Sequence, residues 1–219
     1  MKGLIKHLLF NNLEEIQQKS LLNCHCMGLH SIMLSECPGK TIRLYIADIG
    51  NELYKNYPTE IYNNGILSLG FHAHHCNLTL DVVKGELFNW TIWQTIHGLH
   101  EPGIDKLTKF KYQSAILNGS MEIIDTYESV RFITHKTLRI PAGGYVHMDA
   151  REIHTVACVP DQVTAWLVYE GYENPDYEPF IYHNANISTP NLIHSLDLYK
   201  KPTYSEIIEL LRKADLYND

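Results

Sequence analysis

A chain of 219 residues with 45% hydrophobic content can bury one sizeable core. Its net charge of −7 and its lack of any Lys/Arg run argue against a nucleic-acid partner. No apolar run is long enough to span a bilayer, and the opening residues break into Asn11-Asn12 and acidic residues with no small-residue cleavage site, so neither a membrane span nor a signal peptide is expected. Five cysteines, odd in number and scattered, fit a reducing cytoplasmic setting rather than a disulfide framework.

The pattern divides the chain into three parts. Residues 1–39 read as an N-terminal arm, partly helical: Asn12 with Glu15 forms a capping-box pattern, and Leu13, Ile16, Leu21 and Leu22 suit one helical face. Residues 40–175 read as strands. "TIRLYIADI" opens with alternating Ile42, Leu44 and Ile46. After the Asn63-Asn64-Gly65 turn come "ILSLGFHAHHCNLTLDVV", "ELFNWTIWQTI", "KLTKFKYQSAIL", "MEIIDTY", "RFITHKTLRI", "YVHMDAREIHTVACV" and "VTAWLVYEG". Short β-branched and aromatic runs punctuated by Gly, Asn and Pro predict an all-β sandwich or barrel. Residues 176–219 form an extension that ends in a helix, where Thr203 and Glu206 repeat the capping-box pattern. Ile207, Ile208, Leu211 and Ala214 give that helix one apolar stripe to lay on the barrel. An open sandwich leaves strand edges that need covering, so the long arm predicts a homodimer in which it covers a partner.

The chemistry concentrates in Phe71-His72-Ala73-His74-His75 and the distant His154. Strand side chains alternate between faces, so His72 and His74 point the same way. On one continuous strand Gly70, Leu78 and Leu80 would share their inner face, leaving Phe71 and His75 outside. A one-residue slip would bring His75 inward instead, which makes it the alternative ligand. Neutral imidazole is the commonest protein ligand for a catalytic transition metal, and three converging imidazoles without a metal would each carry a desolvation cost. His72, His74 and His154 are therefore the predicted metal ligands.

Around these histidines the chain resembles the cupin superfamily, the RmlC-like double-stranded β-helix. The first cupin motif is Gly, five residues, His-x-His, three or four residues, Glu, six residues, Gly. Here His72 and His74 fill the His-x-His, Leu78 stands where the Glu belongs, Gly85 closes the motif, and Gly65 falls one residue early. In the second motif Gly143 and His154 fit by spacing, with Asp149, Arg151 and Cys158 replacing the usual Pro, Gly and Asn. The resemblance spans Gly65 to Gly171 and implies a jelly-roll cupin barrel flanked by the N-terminal helical arm and the C-terminal helix. It also implies one divalent transition metal on three histidines, as in the non-haem Fe(II) dioxygenase-type cupins, and a small polar molecule as the substrate. Zn, Ni, Mn, Co or Cu would suit the same ligands, because affinity follows the Irving–Williams order and supply decides. A redox-neutral isomerase, lyase or hydrolase and a non-catalytic binding or sensor module are the competing readings of this scaffold.

Other residues are weaker candidates. Tyr145, His147 and Asp149 share a strand face opposite Val146 and Met148, and the apolar pair is expected in the core, which leaves a catalytic role for His147 as the less favoured reading. Arg151 could reach a substrate carboxylate or phosphate at the barrel mouth, though a solvated turn arginine is the simpler account. His97 and His100 read as loop residues, and Trp90, Trp93 and Trp166 as core. Cys24 and Cys26, with His25 and His30, are spaced too tightly for a usual structural zinc site. Asn77, Asn89, Asn118 and Asn186 fall in glycosylation-type triplets that carry no meaning in a cytoplasmic protein.

Overall fold

A computed structural model describes residues 3, 5, 7, 13–24, 28–48, 71–94, 106–115, 120–158, 162–174, 176–178, 180–184 and 200–217. Helix α1 (Leu13–Lys19) leads into strands β1 (Leu29–Cys37), β2 (Lys40–Ala47), β3 (Phe71–His72), β4 (Leu78–Lys84), β5 (Glu86–Gln94) and β6 (Lys106–Ala115). Then follow β7 (Ser120–Pro141), β8 (Tyr145–Met148), β9 (Ile153–Cys158), β10 (Thr164–Glu170), β11 (Phe180–Asn184) and helix α2 (Tyr204–Lys213). One sheet has the order β1-β2-β10-β4-β8, and the other closes on itself as β11-β3-β9-β5-β7-β6. The strand pairs are antiparallel. From β7 to β11 the chain alternates between the two sheets at every step, which is the winding of a jelly roll.

Gly85 makes an earlier crossing between the sheets possible. It carries the chain from β4 to β5 at φ +72°, and a Cβ there would sit 2.6 Å from the Thr164 hydroxyl and 2.8 Å from the Val163 carbonyl. Only glycine accepts both the left-handed backbone and the close approach. The closing glycine of the first motif thus has a steric cause.

Two apolar layers flank the open sheet. On its outer side Ile16, Ile32, Leu34, Leu44, Ile46 and Leu167 pack with α2 residues Ile207, Ile208 and Leu211. The alternation read in "TIRLYIADI" therefore marks the face covered by helices, with Leu44 and Ile46 fully buried and Ile42 partly so. Between the sheets lie Leu78, Leu80, Val82, Leu87, Ile140, Met148, Cys158, Trp166 and Val168. Helix α2 is capped as its sequence implies: the Glu206 amide donates to the Thr203 hydroxyl and the Glu206 carboxylate accepts from the Thr203 amide. Leu211 is fully buried in the outer layer, so Leu211→Ala should cost about 2–5 kcal/mol of folding stability, read as a lower urea midpoint. An unchanged midpoint would mean that α2 is not held by that stripe.

Several expectations change. Residues 29–37, read within the arm, form β1 and extend the open sheet through β2. Ile5 and Ile16 of the arm join the outer core layer that holds α2. Leu21 and Leu22 fall beyond the end of α1, in bridges to Ser31 and Lys200, because α1 stops at Lys19 and buries only Ile16. "MEIIDTY" and "RFITHKTLRI" fuse into the single strand β7, which the intervening Glu128-Ser129-Val130 does not break. Residues 180–184, read in the extension, form β11 and enter the closed sheet beside β3.

Phe71 is not outward-facing. It is 2% exposed and packs with Ile92, Leu107, Val130 and Tyr182, because closure of the second sheet covers β3 on its other face as well. Trp166 is buried between the sheets and Trp90 partly so, but Trp93 is 47% exposed at the end of β5. Cys24, Cys76 and Cys158 are buried and Cys37 is exposed. Cys26, His25, Asn12, Gly65, His97, His100, Asn118 and Asn186 lie outside the described residues. No helix among the described residues is long and apolar enough to cross a membrane.

Candidate metal centre

The site is built on a very short strand. β3 holds two residues, and it lies between β9 and β11 with His72 directly opposite His154. On the far side of β9, Thr91 of β5 stands opposite the same His154, so His72, His154 and Thr91 share one face. That face continues through Asn89, Val156, Leu87 and Cys158 into the core between the sheets.

His74 arrives by a different route from the one parity implies. The strand ends at His72, and residues 73–77 cross to the other sheet, where β4 begins. Backbone bonds pin the crossing: Ala73 N–H to Phe180 C=O, 3.2 Å; His74 N–H to Ala150 C=O, 3.0 Å; Asn174 N–H to His75 C=O, 2.8 Å; Gly171 N–H to Asn77 C=O, 3.0 Å. The Asn77 side chain also accepts from the Ala150 amide at 2.9 Å. A loop tied at so many points holds its imidazole nearly as firmly as a strand would.

His72, His74 and His154 converge. Their ring centroids are 4.7, 4.9 and 5.0 Å apart in pairs, and one ring nitrogen from each lies within 4.8 Å of the others. His74 Nε2 and His154 Nε2 are 2.8 Å apart. His154 is buried and the other two are partly exposed. Burial, and then the neighbouring His72, hold the His154 imidazole well below the ordinary histidine range, so it stays neutral at physiological pH. Its Nδ1 donates to Asn89 Oδ1 at 2.7 Å, which leaves Nε2 with its lone pair. The donor set therefore fits a divalent transition metal: three imidazoles, one already in the ligating tautomer, with no carboxylate or thiol among the described residues joining the group.

The other named residues lie elsewhere. His75 is exposed and its Nδ1 donates to the Tyr177 carbonyl at 2.8 Å, outside the cluster. Leu78 is the first residue of β4, opposite Met148 in the open sheet, and is 5% exposed in the core between the sheets. His147 is exposed; its Nδ1 is hydrogen-bonded to the Thr79 hydroxyl at 2.7 Å and its ring meets Tyr145 edge-on, while Met148 points into the core. Arg151 is exposed in the β8–β9 turn, where its guanidinium donates to Asp149 at 2.9 Å and holds that carboxyl below the usual range. Two surface clefts flank the region, one of about 650 Å³ along Thr79, His147 and Tyr169, the other of about 680 Å³ along Ala73, Ile153, Arg151 and Phe180. Neither is lined by the three histidines.

Asn89 is the site residue that the sequence reading missed. It is 3% exposed, and besides His154 its amide Nδ2 approaches Met148 Sδ at 3.5 Å. Its signal was present: in Leu87-Asn89-Thr91 an amide interrupts the inward face of a strand, where an unpaired polar group would be costly.

No family model matches the chain, and no curated protein matches it. Solved structures do. The hydroxypropylphosphonic acid epoxidase of S. wedmorenis is 12% identical with a TM-score of 0.36, over 70% of this chain and 54% of that one. Oxalate decarboxylase from Bacillus subtilis is 9% identical with a TM-score of 0.35, over 70% of this chain and 28% of that one. The Cnp3 cupin domain of Schizosaccharomyces pombe is 7% identical with a TM-score of 0.33, over 68% of this chain and 63% of that one. The antiparallel winding between an open and a closed sheet is a jelly roll, and it gathers three histidines from β3, its crossing loop and β9, as the resemblance to cupins implies.

Proposed function

We propose that the chain is a metal-dependent oxygenase of the dioxygenase type, acting on a small anionic molecule at Fe(II) held by His72, His74 and His154. The observation that supports this reading is the all-imidazole donor set, in which no described carboxylate joins the three histidines. Bound there, a redox-active divalent metal would supply neighbouring open positions for O₂ and substrate, turning a bimolecular encounter into an oriented one.

The protein's own groups do the rest. The three imidazoles add no charge, so both positive charges of a divalent cation are left for a substrate to balance, which favours a chelating anion over a neutral molecule. Asn89 and Thr91, which share the face of His154, and Met148 beyond Asn89 bring no formal charge to its core side. His154 is itself buried, and its face runs on through Leu87 and Cys158 into the apolar layer between the sheets, which disfavours water on its inner side. The pinned crossing loop keeps His74 in place as substrates come and go.

Oxygen uptake tests the proposal. Anaerobic Fe(II)-loaded protein, mixed with a panel of small carboxylates, thiols and diketones and then aerated, should consume about one O₂ per substrate turned over, whereas Zn(II)-loaded protein should consume none. Turnover without O₂ uptake would replace this reading with Lewis-acid chemistry. A ligand held tightly and never changed would make the chain a binding module.

A further inference from the structure

We infer that Asn89 is the positioning residue of the metal centre, fixing the tautomer of His154 through an amide that Met148 orients from the opposite sheet; this rests on the metal-binding reading above. Asparagine is a poor strand former, and a buried amide must satisfy both of its ends. Both ends of Asn89 are used, and they are used asymmetrically.

Met148 supplies the asymmetry. A thioether sulfur accepts hydrogen bonds and donates none, so the end of the amide that faces Met148 Sδ at 3.5 Å is the NH₂ group. The carbonyl end then faces His154 Nδ1 at 2.7 Å, and a carbonyl only accepts. His154 must carry its proton on Nδ1. Its Nε2 is left as a lone pair directed at the position shared with His74, whose Nε2 lies 2.8 Å away. Orientation passes from β8 in the open sheet, through Asn89 on β5, to His154 on β9 in the closed one. Any other orientation of the amide would set its NH₂ group against Nδ1 and turn the proton toward the metal.

Titration with Co(II), followed by its visible absorption, together with ¹⁵N spectra of the imidazoles in metal-free protein, tests this. Asn89→Leu keeps the volume and removes the acceptor, so its Co(II) dissociation constant should rise about ten- to hundredfold. Asn89→Asp keeps an acceptor facing Nδ1 and should bind Co(II) as tightly as wild type or tighter. In metal-free wild type, ¹⁵N shifts should show His154 protonated at Nδ1 alone. Asn89→Leu binding within about twofold of wild type, or both variants weakening alike, would overturn the assignment, because a merely structural role for Asn89 does not distinguish acceptor from shape. Should Asn89→Leu fail to fold, the wild-type tautomer decides: a proton on Nε2 refutes the inference and one on Nδ1 supports it. Wild type that takes up no Co(II) would overturn the metal reading instead, and the same tautomer measurement would still judge Asn89.

Discussion

Replacing His74 with alanine is expected to strip the protein of its metal while leaving its fold intact. Wild-type protein should carry close to one divalent transition metal per chain. Loss of an outer partner of a ligating histidine already costs about ten- to hundredfold in affinity, so loss of a ligand itself should cost at least about a hundredfold. His74 is the clean position, because its ring is partly exposed and the backbone bonds of residues 73–77 do not depend on it. His154→Ala should lose metal as completely, but it also leaves the Asn89 carbonyl buried and unpaired, which costs about 1–3 kcal/mol of stability. Elemental analysis and circular dichroism on the same samples separate the two effects. Full metal occupancy in a His72/His74 double substitution would refute the site.

Leu78→Glu carries the second large effect, and the structure changes what it should do. Leu78 stands where cupins place a ligating glutamate, yet here it is 5% exposed in a layer with Leu80, Met148 and Trp166. An ionised carboxylate in that layer, without a partner, costs several kcal/mol even after relaxation. For a chain of this size each kcal/mol is about 2–4 °C, so metal-free Leu78→Glu should melt about 10 °C or more below wild type. Divalent metal should restore part of the loss, since the carboxylate then gains a charge partner, and it should do so while blocking a position that substrate or O₂ needs. Melting curves in chelator and in excess Zn(II) read both effects. A variant as stable as wild type in chelator would mean that the side chain escapes into the cleft beside Thr79. One that metal leaves unrescued would make residue 78 purely a packing position.

How far the sequence could be read depends on which interactions are local. The cap and stripe of α2 are short-range, and Thr203, Glu206, Ile207 and Leu211 take the places their spacing implies. The strand runs were legible because burial on one face imposes alternation, and Gly85 because only glycine makes its turn. Parity failed at Phe71 and between His74 and Leu78. Alternation presumes one continuous strand with one covered face, whereas β3 stops after two residues and is covered on both. The histidines meet through the pinned loop instead. Asn89 escaped because its purpose appears only when Val156 pairs with it and Met148 arrives from the other sheet. Such pairings join residues far apart in the chain, and no local pattern records them.

The brevity of β3 bears on how the molecule comes apart. Two residues give a strand too few ladder bonds to hold its own place, yet β9 and β11 lean on it from either side. A metal joining His74 to His154 would act as a clasp across 80 residues of chain. Closing a loop of that size restricts the unfolded chain by about 4–5 kcal/mol, as a disulfide of the same span would. Chelation would then release a seam rather than a surface group: amide exchange should quicken first at His74, Ala73 and Ile181, while the helix-backed sheet around Leu44 and Leu167 keeps its protection. The same atoms that would serve the reaction would also fasten the barrel shut.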